Sequence, residues 1–152
     1  MRPVIHNLPT VQLRHVLHAA EDAPTVRDGT SAADGSWHID WLLATSDEPT
    51  DLLTSYRLPA VLHTLRVGEE LACERIADHR PAYLTYEGPI SRDRGAVIRV
   101  AAGRWRYLDP DPLRLRIEVR WASAGVLQHV LVMPDRVKCE HLASVQADDV
   151  AE

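Results

Sequence analysis

Two short stretches of this 152-residue chain carry side chains that can do chemistry together. In His38-Ile39-Asp40 an imidazole and a carboxylate stand two apart; in Asp78-His79-Arg80-Pro81-Ala82-Tyr83 a His and a Tyr stand four apart, ahead of Glu87-Gly88-Pro89. On a strand, residues i and i+2 project from one face, so His38 and Asp40 point together while Trp37, Ile39 and Trp41 point the other way. Imidazole nitrogen with carboxylate oxygen suits Mn²⁺ or Zn²⁺ better than the oxygen-seeking Mg²⁺. Two ligands do not make a site. His15 is the expected third, because its strand should pair antiparallel with the strand of His38, bringing His15 beside His38 or Asp40 at roughly 4.5–5.5 Å between Cβ atoms. His18 is the substitute, although its odd spacing from His15 puts it on the opposite strand face. The alternative is that His38 and Asp40 form the wet face of an amphipathic strand.

A neutral His79 can donate or accept a proton, and a protonated one can hold a phosphate oxygen. Tyr83 can donate its hydroxyl to the same oxygen. The structural alternative is a turn His capped by Asp78, with Tyr83 in the core. Ser91-Arg92-Asp93-Arg94-Gly95 reads either as a turn with solvent-facing arginines or as a loop in which Arg92 and Arg94 track phosphates. His6, His63, His129 and His141 show no partner pattern and are expected on the surface or satisfied in the core.

The elements that must position these residues are strands. Residues 113–121 alternate five apolar side chains with four charged ones, and residues 11–17 and 37–41 alternate likewise. A β-branched run follows at 126–133 after Ala124-Gly125. Residues 94–100 and 104–108 flank Gly103 like two arms of a bend, and short strands are expected near 53–58, 62–67, 72–76 and 82–87. Most of the ten prolines and seven glycines fall between these runs. The pattern predicts an all-β, single-domain chain, a compact barrel of about eight short, mostly antiparallel strands. Residues 19–36 lack periodicity and read as a loop inserted between two strands; the tail at 146–152 should fray.

Composition is that of an ordinary globular protein: 45% hydrophobic and 26% charged residues, net charge −5. No run approaches the ~18 apolar residues of a membrane helix, and Met1-Arg2-Pro3-Val4-Ile5-His6 lacks the apolar stretch of a secretory signal. A cytoplasmic location is expected. The charge is unevenly spread. Between residues 80 and 120 there are nine arginines against five acids and no lysine, a local surface suited to phosphate oxygens on an acidic protein. Cys73 and Cys139 are isolated thiols that fit neither a zinc knuckle nor a disulfide framework, and read as buried small hydrophobes. A Gly-rich phosphate loop, His-Glu-x-x-His and a nucleophile elbow are all absent, which argues against a nucleoside-triphosphate engine.

The block from Glu74 through Asp78-His79, Tyr83 and Glu87-Gly88-Pro89-Ile90, followed by Arg94-Gly95-Ala96-Val97 and Gly103-Arg104-Trp105, resembles the 3′-phosphoesterase domain of bacterial DNA ligase D. It is closer still to the small stand-alone bacterial relatives of that domain. Trp37-His38-Ile39-Asp40-Trp41 is similar to the family's His-x-Asp strand, and Thr54-Ser55-Tyr56-Arg57-Leu58-Pro59 to its Ser-Trp-Ala-x-Pro strand. The resemblance covers about residues 11–108. It implies a β-barrel that binds Mn²⁺ and trims 3′-terminal phosphates or ribonucleotides from DNA ends during break repair, beside ligase and polymerase repair proteins. By position it implies His15, His38 and Asp40 as metal ligands, with His79 and Tyr83 contacting the scissile phosphate.

The departures bear on catalysis. Twenty-two residues separate His15 from His38 where the family has a handful. Leu42 stands where the family grips phosphate with Arg, Ala77 where it has Glu, and the family's Arg/Asp-rich N-terminal arm is missing. Losing one charge-assisted phosphate contact costs on the order of 2–4 kcal/mol, or ~10²–10³ in rate. The resemblance therefore implies either a Mn²⁺-dependent phosphoesterase or the same barrel, weak or inactive in catalysis, that binds nucleic-acid ends or a partner protein.

Overall fold

The computed structural model describes residues 7–17, 37–91 and 94–145. The 19–36 loop, the 146–152 tail, His6, His18 and Arg92 lie outside the described residues. Ten strands follow in chain order: β1 (Leu8–Val16), β2 (Trp37–Leu43), β3 (Leu53–Leu58), β4 (Glu70–Ala72), β5 (Glu74–His79), β6 (Gly88–Pro89), β7 (Ala96–Asp109), β8 (Leu115–Trp121), β9 (Val126–Met133) and β10 (Arg136–Ser144). Nine of them form a nearly closed antiparallel barrel in the order β4-β10-β9-β8-β7-β1-β2-β3-β5, and β6 adds to β7.

The two ends of that order belong to one stretch of chain. β4 and β5 are separated only by Cys73, so the segment pairs first with β10 and then with β3. Cys73 is buried and its amide donates to the Asp135 carbonyl at 3.0 Å. The barrel is closed there by covalent continuity, which leaves little open strand edge.

The inner face takes Trp37, Ile39, Trp41, Trp105, Ile117, Val119, Trp121, Val130 and Val137, each 3% exposed or less. A plug fills it from the β3–β4 connection. The expected strand at 62–67 is instead a set of turns with Leu62 and Leu65 buried inside the barrel. Its backbone polar groups are met by side chains: Gln12 Oε1 accepts from the Leu62 amide at 2.6 Å, and Gln128 Nε2 donates to the Leu62 carbonyl at 2.9 Å. Trp121 Nε1 donates to Gln128 Oε1 at 2.9 Å. A buried loop requires this satisfaction.

Three further expectations differ. Residues 82–87 form no strand; Pro81, which has no amide hydrogen to give, opens a single 3₁₀ turn at Pro81–Leu84. Gly103 is not a bend but the middle of one fourteen-residue strand. A Cβ there would lie 2.0 Å from the Arg120 carbonyl oxygen, so glycine serves a close strand approach. β10 adds a strand that the sequence pattern left unassigned, although Val137 and Cys139 alternate with Lys138 and Glu140.

Candidate metal centre

β1 and β2 pair antiparallel with His15 opposite His38 and Leu13 opposite Asp40. All four side chains leave the outer face of the barrel wall, since the inner face of β2 is taken by Trp37, Ile39 and Trp41. This outer strip is not wet. His38 is 8% and Asp40 2% exposed, because the chain from His79 to Ile90 folds over it, with Tyr83, Leu84 and Ile90 packed on the core.

His15, His38 and Asp40 bring one donor atom each to within 4.8 Å of one another. His38 Nε2 lies 2.9 Å from Asp40 Oδ1, yet neither atom has a hydrogen bond among the described residues and both are buried. The rings of His15 and His38 meet edge to face at 4.9 Å. His79 arrives from the end of β5, its Nε2 3.6 Å from Asp40 Oδ2, the same distance as His15 Nδ1. Three imidazoles thus surround one carboxylate.

Hydrogen bonds on the far side of two rings decide which nitrogen faces Asp40. The Arg94 carbonyl lies 2.7 Å from His15 Nε2, so that nitrogen carries the hydrogen and Nδ1 presents its lone pair to Asp40. Ser55 donates its hydroxyl hydrogen to the Leu53 carbonyl at 2.9 Å. Its oxygen is left to accept from the His79 amide at 3.2 Å and from His79 Nδ1 at 2.9 Å. His79 therefore turns an Nε2 lone pair to Asp40. A carboxylate oxygen facing two imidazole lone pairs at 3.6 Å is stable only with a proton or a cation among them. Outer hydrogen bonds of this kind, from carbonyl or hydroxyl to a ring N–H, are what orients histidines for metal binding.

The protonation tendencies agree. Burial alone would raise the Asp40 carboxyl, but the imidazoles of His15, His38 and His79 outweigh it and hold it well below the carboxylate range. Burial alone would lower His15, but Asp40 and the Arg94 carbonyl raise it above its ordinary 6.5. The site favours a positive charge at its centre. The residues fit a divalent transition metal: two or three neutral nitrogens, one carboxylate, and a buried oxygen and nitrogen that no other described residue satisfies.

One side of the cluster opens into a cleft of about 550 Å³ lined by His15, Asp40, His79, Arg80, Tyr83 and Arg94, among others. Tyr83 stands edge to face with His79, ring centroids 5.5 Å apart. The structure thus gathers His15, His38, Asp40, His79, Tyr83 and Arg94 around one cleft. Arg94 lines it but donates from Nε to the Ser91 carbonyl at 2.9 Å. Sequence reasoning missed Ser55 and Arg80. Arg80 follows His79 directly and lies over the Tyr83 ring, 5.9 Å from its centre. Of the other histidines, His63 receives a contact from Gln12 Nε2 at 3.0 Å inside the barrel, and His129 pairs with Glu118 at 2.9 Å. No protein-family model matches the chain, and a search of curated proteins returns no match either.

Proposed function

We propose that this protein is a metal-dependent 3′-phosphoesterase-like hydrolase that acts in the cytoplasm on the 3′ ends of DNA, removing a terminal phosphate or ribonucleotide. One observation carries the reading: the buried Asp40 carboxylate is ringed by nitrogens of His15, His38 and His79, two of them turned toward it by outer hydrogen bonds. His15, His38 and Asp40 would hold Mn²⁺, with Zn²⁺ or another divalent transition metal as the substitute. Such a cation, when bound, supplies Lewis acidity to a phosphoryl oxygen and a nucleophilic water at neutral pH.

The chain's own residues do the rest. Asp40 is the one acid of the cluster, so a divalent cation bound there leaves net positive charge and selects an anion. His79 and Tyr83, side by side on the cleft wall, orient a phosphate oxygen and neutralise it, with Arg80 and Arg94 adding positive potential. Tyr83, Leu84 and Ile90 pack on the core beside the site, and Asp40 is left 2% exposed at the floor of the cleft. The test is release of inorganic phosphate from a 3′-phosphorylated primer–template with Mn²⁺. His38→Ala and His79→Ala should each lower the rate by at least ~10²-fold. Equal activity in wild type and both variants rejects the assignment.

A second reading has its own support. Leu42 is fully buried at the position where the resembled family has a phosphate-gripping Arg, which favours a barrel that binds nucleic-acid ends or a repair partner without effective turnover. Binding of 3′-phosphate ends that persists in chelator and falls with salt would select this reading.

A further inference from the structure

The arginines around the cluster differ in what their guanidinium groups already hold. Arg94 is engaged with Ser91, Arg75 with Asp78 at 2.7 Å, and Arg99 with the Leu84 carbonyl at 3.2 Å. Arg80 lies on Tyr83. Arg57 has neither a hydrogen bond nor an ion pair with any described residue. Its Cα pairs with that of Asp40 across β2 and β3, so both side chains leave the same face of the barrel wall. Glu74, its Cα partner on β5, forms no ion pair with it. Arg57 is exposed where Asp40 is buried. With His38, Leu58 and Pro59 it lines a second cleft of about 380 Å³, on the His38 side of the cluster. The cluster therefore borders both clefts, with His79 and Tyr83 on one side of it and Arg57 on the other.

Resting on the reading that a cation at His15, His38 and Asp40 holds a phosphate, we infer that Arg57 grips that phosphate from the His38 side, as the guanidinium partner of an oxygen that His79 and Tyr83 do not reach. The charges favour such a group, in addition to the potential of Arg80 and Arg94. Two neutral imidazoles and one carboxylate leave a divalent cation at +1, whereas a phosphomonoester or inorganic phosphate carries close to −2. One further positive charge completes the neutralisation, and the planar fork of arginine matches two phosphate oxygens at once. Arg57 is exposed and has no hydrogen-bond or ion-pair partner among the described residues, so none of their contacts commits it to another role. Its position opposite Asp40 follows from strand register alone.

The experiment measures Mn²⁺ affinity first, by electron paramagnetic resonance, and then titrates inorganic phosphate into the Mn²⁺-loaded protein by calorimetry. It compares wild type, Arg57→Ala and Arg57→Lys. Mn²⁺ affinity should stay within about threefold in all three, because Arg57 is no ligand. Phosphate should bind roughly 10- to 100-fold more weakly to Arg57→Ala, as expected for a lost charge-assisted hydrogen bond. Arg57→Lys should lie between, keeping the charge but losing the fork. Thermal midpoints should agree to within a degree or two. Equal phosphate affinity in wild type and Arg57→Ala overturns the inference and leaves the metal centre standing. Loss of Mn²⁺ together with phosphate in Arg57→Ala also overturns it, because Arg57 would then support the cluster rather than the anion. A wild-type protein that takes Mn²⁺ but no phosphate overturns it as well; one that takes no Mn²⁺ overturns both it and the functional reading beneath it.

Discussion

Ser55 shows how a single hydroxyl can set a site it does not touch. Its hydrogen goes to the Leu53 carbonyl, and its oxygen takes both the amide and Nδ1 hydrogens of His79. Ser55→Ala should leave the barrel folded yet loosen the His79 ring, whose Nδ1 would keep only the Ala77 carbonyl at 3.2 Å as an acceptor. Phosphate release should fall ~10- to 100-fold, while Mn²⁺ affinity, read by titration, should change much less than in His38→Ala. A second consequence concerns pH. His15 in the metal-free protein holds its proton above the ordinary 6.5, and a cation must displace that proton. Mn²⁺ affinity should accordingly weaken as pH falls through the His15 value, by about tenfold per unit for a one-proton exchange. Titration at pH 8 and pH 6 checks it; equal affinities would mean that His15 is no ligand. At this scale much was legible. The two-residue spacing of His38 and Asp40 puts them on one face wherever a strand forms. Ser55 was not legible, because its partnership with His79 spans 24 positions and depends on β3–β5 pairing.

At the scale of elements, the His15 side of the cluster depends on a glycine. Gly95 has φ +93°, and a Cβ there would stand 1.7 Å from the Val16 carbonyl oxygen. Its neighbour Arg94 supplies the carbonyl that accepts from His15 Nε2. Gly95→Ala should destabilise the protein by more than about 1 kcal/mol and push the 94–95 backbone away from β1. The urea midpoint should drop, and Mn²⁺ affinity should fall with it even under conditions where the variant is folded. An unchanged affinity in the folded variant would detach the Arg94 carbonyl from the site. β1, β2 and β8 lie where two-residue periodicity puts them, β9 where the β-branched run does, and β3 where the sequence predicts a short strand between turns. The failures share a cause. A short apolar run at 62–67 has the composition of a strand, but it was drawn into the barrel as a plug by Gln12 and Gln128, residues far from it in sequence. Gly103 looks like a breaker until the neighbouring strand's Arg120 carbonyl is seen against it.

For the molecule as a whole, stability should be concentrated in the barrel interior and its plug rather than in the surface ion pairs. Leu62 is fully buried, and Leu62→Ala should cost about 2–5 kcal/mol by leaving a cavity that the rigid strands around it cannot close. Chemical unfolding of the metal-free protein reads this directly. A loss below about 1 kcal/mol would show that the plug is not part of the core. The closing segment from Glu70 to His79 makes the site a property of the closed barrel. His79 reaches Asp40 only because β5 pairs with β3 while β4, one residue earlier, is pinned to β10.

The amino-acid sequence by itself determined the all-β class, the face shared by His38 and Asp40, and the antiparallel pairing of the His15 strand with the His38 strand, because each follows from two-residue periodicity and the pairing of consecutive strands; that His15 faces His38 rather than Asp40 is a matter of register. Only the tertiary structure decided that this face is buried and outward, that Ser55 and the Arg94 carbonyl orient the rings, and that Arg57 stands opposite Asp40. Those facts depend on register and on chain segments distant in sequence. A one-residue slip between β2 and β3 would have carried Arg57 to the other side of the wall.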